Sequence, residues 1–241
     1  MSYPLSASQS EVLRLANITG DEVNVLSFSA LFPYHGDSDL LVRAASIICQ
    51  HIPDLNTVII NHQNVRQSTA DLQVVQPFCH FSSKTEYDTW AECLASIALC
   101  AEKQCAEIYP ISISNEYEGF FIRLHHVVAD GWAAFILLRC LRDQYTAMLA
   151  GKSADLAEIY PYQMFVNAES SYLAGPRNRR DAAFWKEFLS GQQDGYLLSD
   201  RMMGDFSARR MSETLDDQMV RELRSVCDAK GRNLQSDMLP L

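Results

Sequence analysis

Two adjacent histidines, His125 and His126, close an apolar run, and Asp130, Gly131 and Trp132 follow them in the stretch FFIRLHHVVADGWAAF, residues 120–135. Imidazole is the side chain whose charge changes near working pH, so a histidine on such a loop is a candidate general base. An aspartate close behind it can fix the loop through an ion pair or through backbone hydrogen bonds. A glycine relieves crowding where a helix must start close to a strand. Successive side chains on a strand point to opposite faces, so the two histidines cannot both address one reaction centre. One points into a cleft and the other into packing. The same residues also suit an ordinary strand-to-helix turn with two hydrogen-bonded histidines at the core edge. Metal binding by His126 and Asp130 lacks a third ligand at suitable spacing.

The elements that must position this loop follow from periodicity. EGFFIRLHH reads as a strand and GWAAFILLRCLRDQYTAMLAGK as a long helix ended by Gly151. Earlier, PLSASQSEVLRLAN begins with a serine suited to cap a helix, and NVLSFSALF (24–32) alternates as a strand. SDLLVRAASIICQHI carries Leu40, Ala44, Ile47 and Ile48 at helical spacing. NTVII (56–60) and DLQVVQPF (71–78) read as strands. SKTEYDTWAECLASIALCAEKQ reads as a helix with Trp90, Leu94 and Ile97 on its stripe. Residues 160–190 read as helix, turn, helix. A strand over 207–215, a helix over 216–231 and the first turn of another apolar helix at 233–241 complete the chain. The order predicts an α/β (α+β layered) fold, a mixed β-sheet flanked by helices.

The chain has 241 residues, 48% hydrophobic and 21% charged, which is globular composition. A net charge of −10 argues against a general nucleic-acid binder. The basic cluster at 176–181 is the one local exception and reads as solvated. Seven cysteines without a CxxC pair argue against a zinc ribbon and for a reducing, cytoplasmic setting. No stretch reads as a signal peptide or a membrane span.

The motif LHHVVADGWA resembles the HHxxxDG signature of the condensation domains of nonribosomal peptide synthetases. His125, His126, Asp130 and Gly131 match it in full, and Trp132 is also typical. PLSASQSEVL resembles the family's first segment, with Leu5, Ser6 and Gln9 in place, and Phe184 with Trp185 match a later helical stretch. The resemblance implies a chloramphenicol-acetyltransferase-like fold. Residues 1–190 are expected to be the N-terminal lobe of a condensation domain, and 191–241 the crossover and start of a truncated C-terminal lobe. It further implies amide bond formation between an acyl or aminoacyl thioester on the phosphopantetheine arm of a donor carrier protein and an amine acceptor, usually also carrier-bound. No cofactor and no metal are expected to be held by this lobe. Its partners would be peptidyl or acyl carrier proteins and the missing C-terminal lobe, with no nucleic acid and no membrane.

By the same resemblance His126 is catalytic, either taking the amine's proton or orienting the amine and stabilising the tetrahedral intermediate. His125 packs in support of the loop. Asp130 holds the loop by an ion pair, and the Gly131 backbone lies close to the channel. The family's usual arginine is replaced by Asn56, which leaves Arg66 or a residue of the missing lobe as partner for Asp130. The RRDAAFWKEFL region is similar to that of siderophore-type starter domains. Two other readings stand beside this one: a different acyltransferase of the same superfold using an acyl thioester, and a non-catalytic module that docks a carrier protein. The chain alone is expected to have little activity and to expose an apolar surface.

Overall fold

A computed structural model describes residues 2–19, 21–60, 66–190 and 215–232. The chain divides into two compact units, residues 1–194 and 195–241. The first unit carries seven strands and six α-helices among its described residues. In chain order they are β1 (Tyr3–Pro4), α1 (Ala7–Thr19), β2 (Val25–Pro33), α2 (Ser38–His51), β3 (Thr57–Ile60), β4 (Arg66–Thr69), β5 (Cys79–Phe81), α3 (Lys84–Ala95), β6 (Ala106–Ile113), β7 (Tyr117–His125), α4 (Gly131–Leu149), α5 (Tyr162–Ala174) and α6 (Pro176–Leu189). The described part of the second unit is α7 (Asp217–Lys230), capped by the Asp216 side chain and ended by Gly231 in the left-handed region.

A four-stranded mixed sheet, in the order β2-β7-β6-β5, is the frame of the first unit. The β6–β7 pair is an antiparallel hairpin, and β5 joins β6 in parallel. Alternation along β7 decides which helix covers which face. Phe120, Ile122 and Leu124 enter a core shared with Leu41, Ala44 and Ile48 of α2 and Leu137, Leu141 and Tyr145 of α4. Phe121 enters a second core on the opposite face, with Phe81 and Tyr87, against which Trp90 of α3 packs. Each fully buried large apolar side chain stabilises by roughly 1.5–3 kcal/mol, so these two cores fix the height of β7 and α4. Gly119 sits where β7 presses on β2: a Cβ there would lie 1.9 Å from the Ala30 carbonyl oxygen, which only glycine avoids. A smaller sheet, β1-β4-β3, packs beside the frame through Ile59, Cys105 and Val127.

Two expected elements come out differently. The stretch 71–78 contributes only an isolated bridge, Val75 to Ile108, and the strand starts after Pro77, at Cys79. Helix α3 ends at Ala95, because Ser96 turns back its N–H and hydroxyl onto the Cys93 carbonyl. Ile97 is therefore exposed rather than on a buried stripe. The basic cluster at 176–181 opens α6 with Pro176 in the first turn. The strand expected at 207–215 falls almost wholly outside the described residues, as does the helix start expected at 233–241. Helix α6 buries none of its residues; Phe184, Trp185, Phe188 and Leu189 are each more than half exposed.

Candidate active site

The loop between β7 and α4 is held by its backbone. His125 donates its N–H to the Cys105 carbonyl at 2.7 Å, and His126 donates to the Asn24 carbonyl at 2.7 Å. Val128 closes a turn onto the His125 carbonyl at 3.0 Å. The His125 side chain is wholly buried, and its Nδ1 accepts the Val127 N–H at 3.0 Å. An accepting Nδ1 carries no proton, so this neutral ring holds its hydrogen on Nε2. His125 is thus a packing and loop-folding residue, and His126 follows it as the first residue of the turn after β7. His126 is exposed.

Asp130 ends the loop as the N-cap of α4. Its Oδ1 accepts the Ala133 N–H at 2.8 Å, and its carbonyl accepts the Ala134 N–H at 2.9 Å. Such a cap is worth about 1 kcal/mol. Among the described residues Asp130 has no ion-pair partner. Of the two ways expected for Asp130 to fix the loop, the described residues show the backbone hydrogen bond, because the first turn of α4 needs an acceptor at that point. Arg66, the alternative partner, donates instead to the Ser2 hydroxyl and carbonyl, at 3.2 and 2.7 Å. Asn56 lines a recess with Ser46, Cys49 and Asp71, and not the cavity that His126 lines.

His126 and Asp130 share a cavity of about 320 Å³ with Ser8, Gln9, Val12, Val127, Val128, Ala129, Ala133 and Tyr162. The site therefore brings together the loop, the start of α1 and the start of α5. Gly131 leaves open space: a Cβ there meets nothing within 4 Å. The steric relief expected of Gly131 is therefore not what the fold asks of it, and its exposed backbone is what remains accessible. Trp132 stands outside the cavity, 70% exposed and stacked on Phe135 at 5.6 Å between ring centroids. Beside the site, sharing Val128, Ala129 and Ala133 with it, is an apolar cavity of about 160 Å³ lined also by Ile52, Leu55 and Leu124.

Several residues around the site carry no local motif. Tyr162 donates its backbone N–H to Asp54 at 2.9 Å, and its hydroxyl is 3.0 Å from the Ser6 hydroxyl. Glu169 of α5 accepts the Ala7 N–H at 2.9 Å, placing negative charge at the N-terminus of α1 where the helix dipole favours it. One signal in the sequence pointed to α1: Ser6 and Gln9 form an S-x-x-Q capping box. Gln9 Oε1 accepts the Ser6 N–H at 3.0 Å, and the Ser6 hydroxyl accepts the Gln9 N–H at 3.2 Å. Among the described residues, no three His, Cys, Asp or Glu side chains converge as a metal site, and no helix is long and apolar enough to cross a membrane.

Comparison with known proteins adds the lineage. The Condensation domain family model matches residues 1–240. A linear gramicidin synthase of Brevibacillus parabrevis is 23% identical over 257 residues, covering 96% of this chain and 5% of that protein. Malpibaldin synthetase of Mortierella alpina is 26% identical over 176 residues, covering 65% of this chain and 3% of that protein. Among solved structures, the first condensation domain of the CDA synthetase superposes with a TM-score of 0.79 at 17% identity, over 97% of this chain and 58% of that one. A starter condensation domain of the rhizomide synthetase, solved in complex with C8-CoA, superposes with a TM-score of 0.74 at 13% identity, over 83% of this chain and 48% of that one. The chain thus spans a small part of its curated relatives and about half of these solved chains.

Proposed function

This chain belongs to the condensation-domain family, and on that premise we propose that it takes part in forming amide bonds from thioester donors in nonribosomal peptide synthesis. The acyl group arrives on the phosphopantetheine thiol of a donor carrier protein, and the amine on a second carrier or free. The amine nitrogen attacks the thioester carbonyl carbon, and the C–N bond forms as the carbonyl becomes an oxyanion. His126 accepts the proton that the nitrogen sheds. The oxyanion then collapses, the C–S bond breaks, and the departing sulfur takes the proton from His126. Aminolysis of a thioester is downhill, so most of the acceleration comes from holding the two tethered reactants together. A general base adds roughly 10² to 10⁴ in rate.

The observation that carries this reading is the exposed His126 imidazole at the edge of a cavity, on a loop whose neighbouring backbone groups are tied down. Asp130 serves by capping α4 rather than by touching the reactants, and the open Gly131 backbone admits the pantetheine arm. The apolar cavity beside the loop suits an aliphatic acyl chain. Support for that comes from the rhizomide starter domain, which was solved with C8-CoA. The neighbouring half of the longer solved chains would supply the other wall of the site, so the 241 residues alone are expected to turn over little. A reducing, cytoplasmic setting is supported by seven cysteines without a CxxC pair.

The test uses the natural protein that carries this chain. A carrier protein is loaded with a panel of acyl groups, amines are supplied, and amide product is followed by mass spectrometry for wild type and His126→Ala. Product lost in the variant supports condensation. Product from free acyl-CoA but not from the carrier makes this a different acyltransferase of the same fold. Carrier binding with no product from any donor, and no effect of His126→Ala, makes it a docking module.

A further inference from the structure

Two buried amides stand behind the histidine loop. Gln9, 4% exposed, begins α1, and Gln67, 1% exposed, lies on β4. They exchange two hydrogen bonds: Gln9 Nε2 donates to Gln67 Oε1 at 2.9 Å, and Gln67 Nε2 donates to Gln9 Oε1 at 2.7 Å. The second hydrogen on each amide goes to a backbone carbonyl. Gln9 Nε2 donates to the Val127 carbonyl at 2.9 Å, and Gln67 Nε2 donates to the Pro4 carbonyl at 3.0 Å. A carbonyl only accepts, so both amides have a single possible orientation. The Ser6 N–H on Gln9 Oε1 enforces the same orientation. All four amide hydrogens are used, and a fully satisfied buried network of this kind is rigid.

The carbonyl that Gln9 holds belongs to the residue immediately after His126. On its other side, the His126 N–H is held by Asn24. The peptide unit before His126 is thus held by Asn24, the unit after it by His125 Nδ1 through the Val127 N–H, and the next one by Gln9 through the Val127 carbonyl. We propose that Gln9 and Gln67 are positioning residues for His126, a reciprocal amide pair that sets how far the imidazole stands into the cavity. The role rests on the reading of His126 given above. Gln67 orients Gln9, Gln9 holds Val127, and Val127 places His126. Neither amide touches the reacting atoms. A loop displaced by about 1 Å costs on the order of a hundredfold in rate when reactants must meet in one geometry.

The experiment separates positioning from plain stability. Gln9→Met, Gln67→Met and the double variant are made in the natural protein that carries this chain, with His126→Ala as a control. Each single variant leaves buried amide or carbonyl groups without partners and lowers the melting temperature. The double variant removes both partners of the amide–amide pair and so regains part of the stability, while the Val127 and Pro4 carbonyls and the Ser6 N–H stay without their partners. Positioning predicts that kcat for amide formation in the double variant stays about tenfold to a hundredfold below wild type, with KM for donor and amine unchanged. It also predicts that Gln9→Met loses more than Gln67→Met, which keeps the bond to Val127. Recovery of kcat together with stability overturns the proposal, and so do single variants with wild-type kcat. If the double variant does not fold, Gln9→Leu decides: it cannot donate to the Val127 carbonyl in any protonation state, and kcat is read per folded molecule. A low kcat there upholds the proposal and a wild-type kcat overturns it. A wild-type rate in His126→Ala would instead remove the reading of His126 itself.

Discussion

Strand β7 ends in two different ways, and the contrast separates the structural polar groups of this fold from the one proposed to be reactive. At its start lies Glu118, 1% exposed. Its carboxyl accepts from the Tyr145 hydroxyl, from the His35 backbone at 2.9 Å, and from Gly36 at 3.2 Å, and it pairs with His35 Nδ1 at 2.9 Å. Every oxygen is spent on holding α4 and the β2–α2 turn to the sheet. At the other end, among the described residues, the His126 ring makes no hydrogen bond: its backbone is bonded and its ring lines the cavity. One end consumes its side chains to stabilise the fold. The other uses main-chain bonds and the buried amides behind it, so that a side chain is left over for the proposed chemistry.

Substitutions at the two ends should therefore have opposite profiles. The largest effect expected is from His126→Ala, which lowers amide formation by about 10² to 10⁴ while leaving the unfolding midpoint within about 0.5 kcal/mol of wild type. Next is Glu118→Ala. It leaves the Tyr145 hydroxyl and the donors of His35 and Gly36 without their acceptor, and chemical denaturation should report a loss of about 3–5 kcal/mol with the rate per folded molecule kept. Tyr145→Phe removes one of those donors and should cost about 1–2 kcal/mol. Asp130→Ala removes the cap of α4 and should cost about 1 kcal/mol, with a smaller rate loss than His126→Ala.

The Glu118 end also makes a prediction in pH. Burial, followed by the bond to Glu118, pushes the Tyr145 phenol up from its ordinary value. A phenol whose pKa is raised on folding contributes stability that is fully present below the unfolded value, about 10, and is lost as pH rises above it. The denaturation midpoint should fall above about pH 10, and should fall less steeply in Tyr145→Phe.

Much of the frame was legible because its signals are local. The alternation of Phe120, Phe121 and Ile122, the glycine at 119 and the apolar spacing from Ala134 to Tyr145 give β7 and α4 directly, and Asp130 lies where a cap belongs. Strand β6 was not legible. Pro110 and Ser112 interrupt its apolar pattern, and Pro110 is tolerated because its missing N–H falls in the gap between the Val75 bridge and β5. Strand β4, read as RQST, is polar and gains its place only from β1 and β3. Around the site, the histidines and Asp130 are contiguous in sequence and announce themselves. Gln67 lies 58 residues from Gln9 and 60 from Val127, and no local pattern says that a glutamine on a polar strand reaches a loop so distant. Glu118 was unreadable for the same reason, since its partners are contributed by two other segments.

The most direct test of this division is one experiment with two readouts on one protein. Single-turnover amide formation and the unfolding midpoint are measured side by side for wild type, His126→Ala and Glu118→Ala. The account predicts a crossed result: rate lost and stability kept for His126→Ala, stability lost and the rate per folded molecule kept for Glu118→Ala. Equal losses of both quantities in the two variants, or an unchanged rate in His126→Ala, would contradict it.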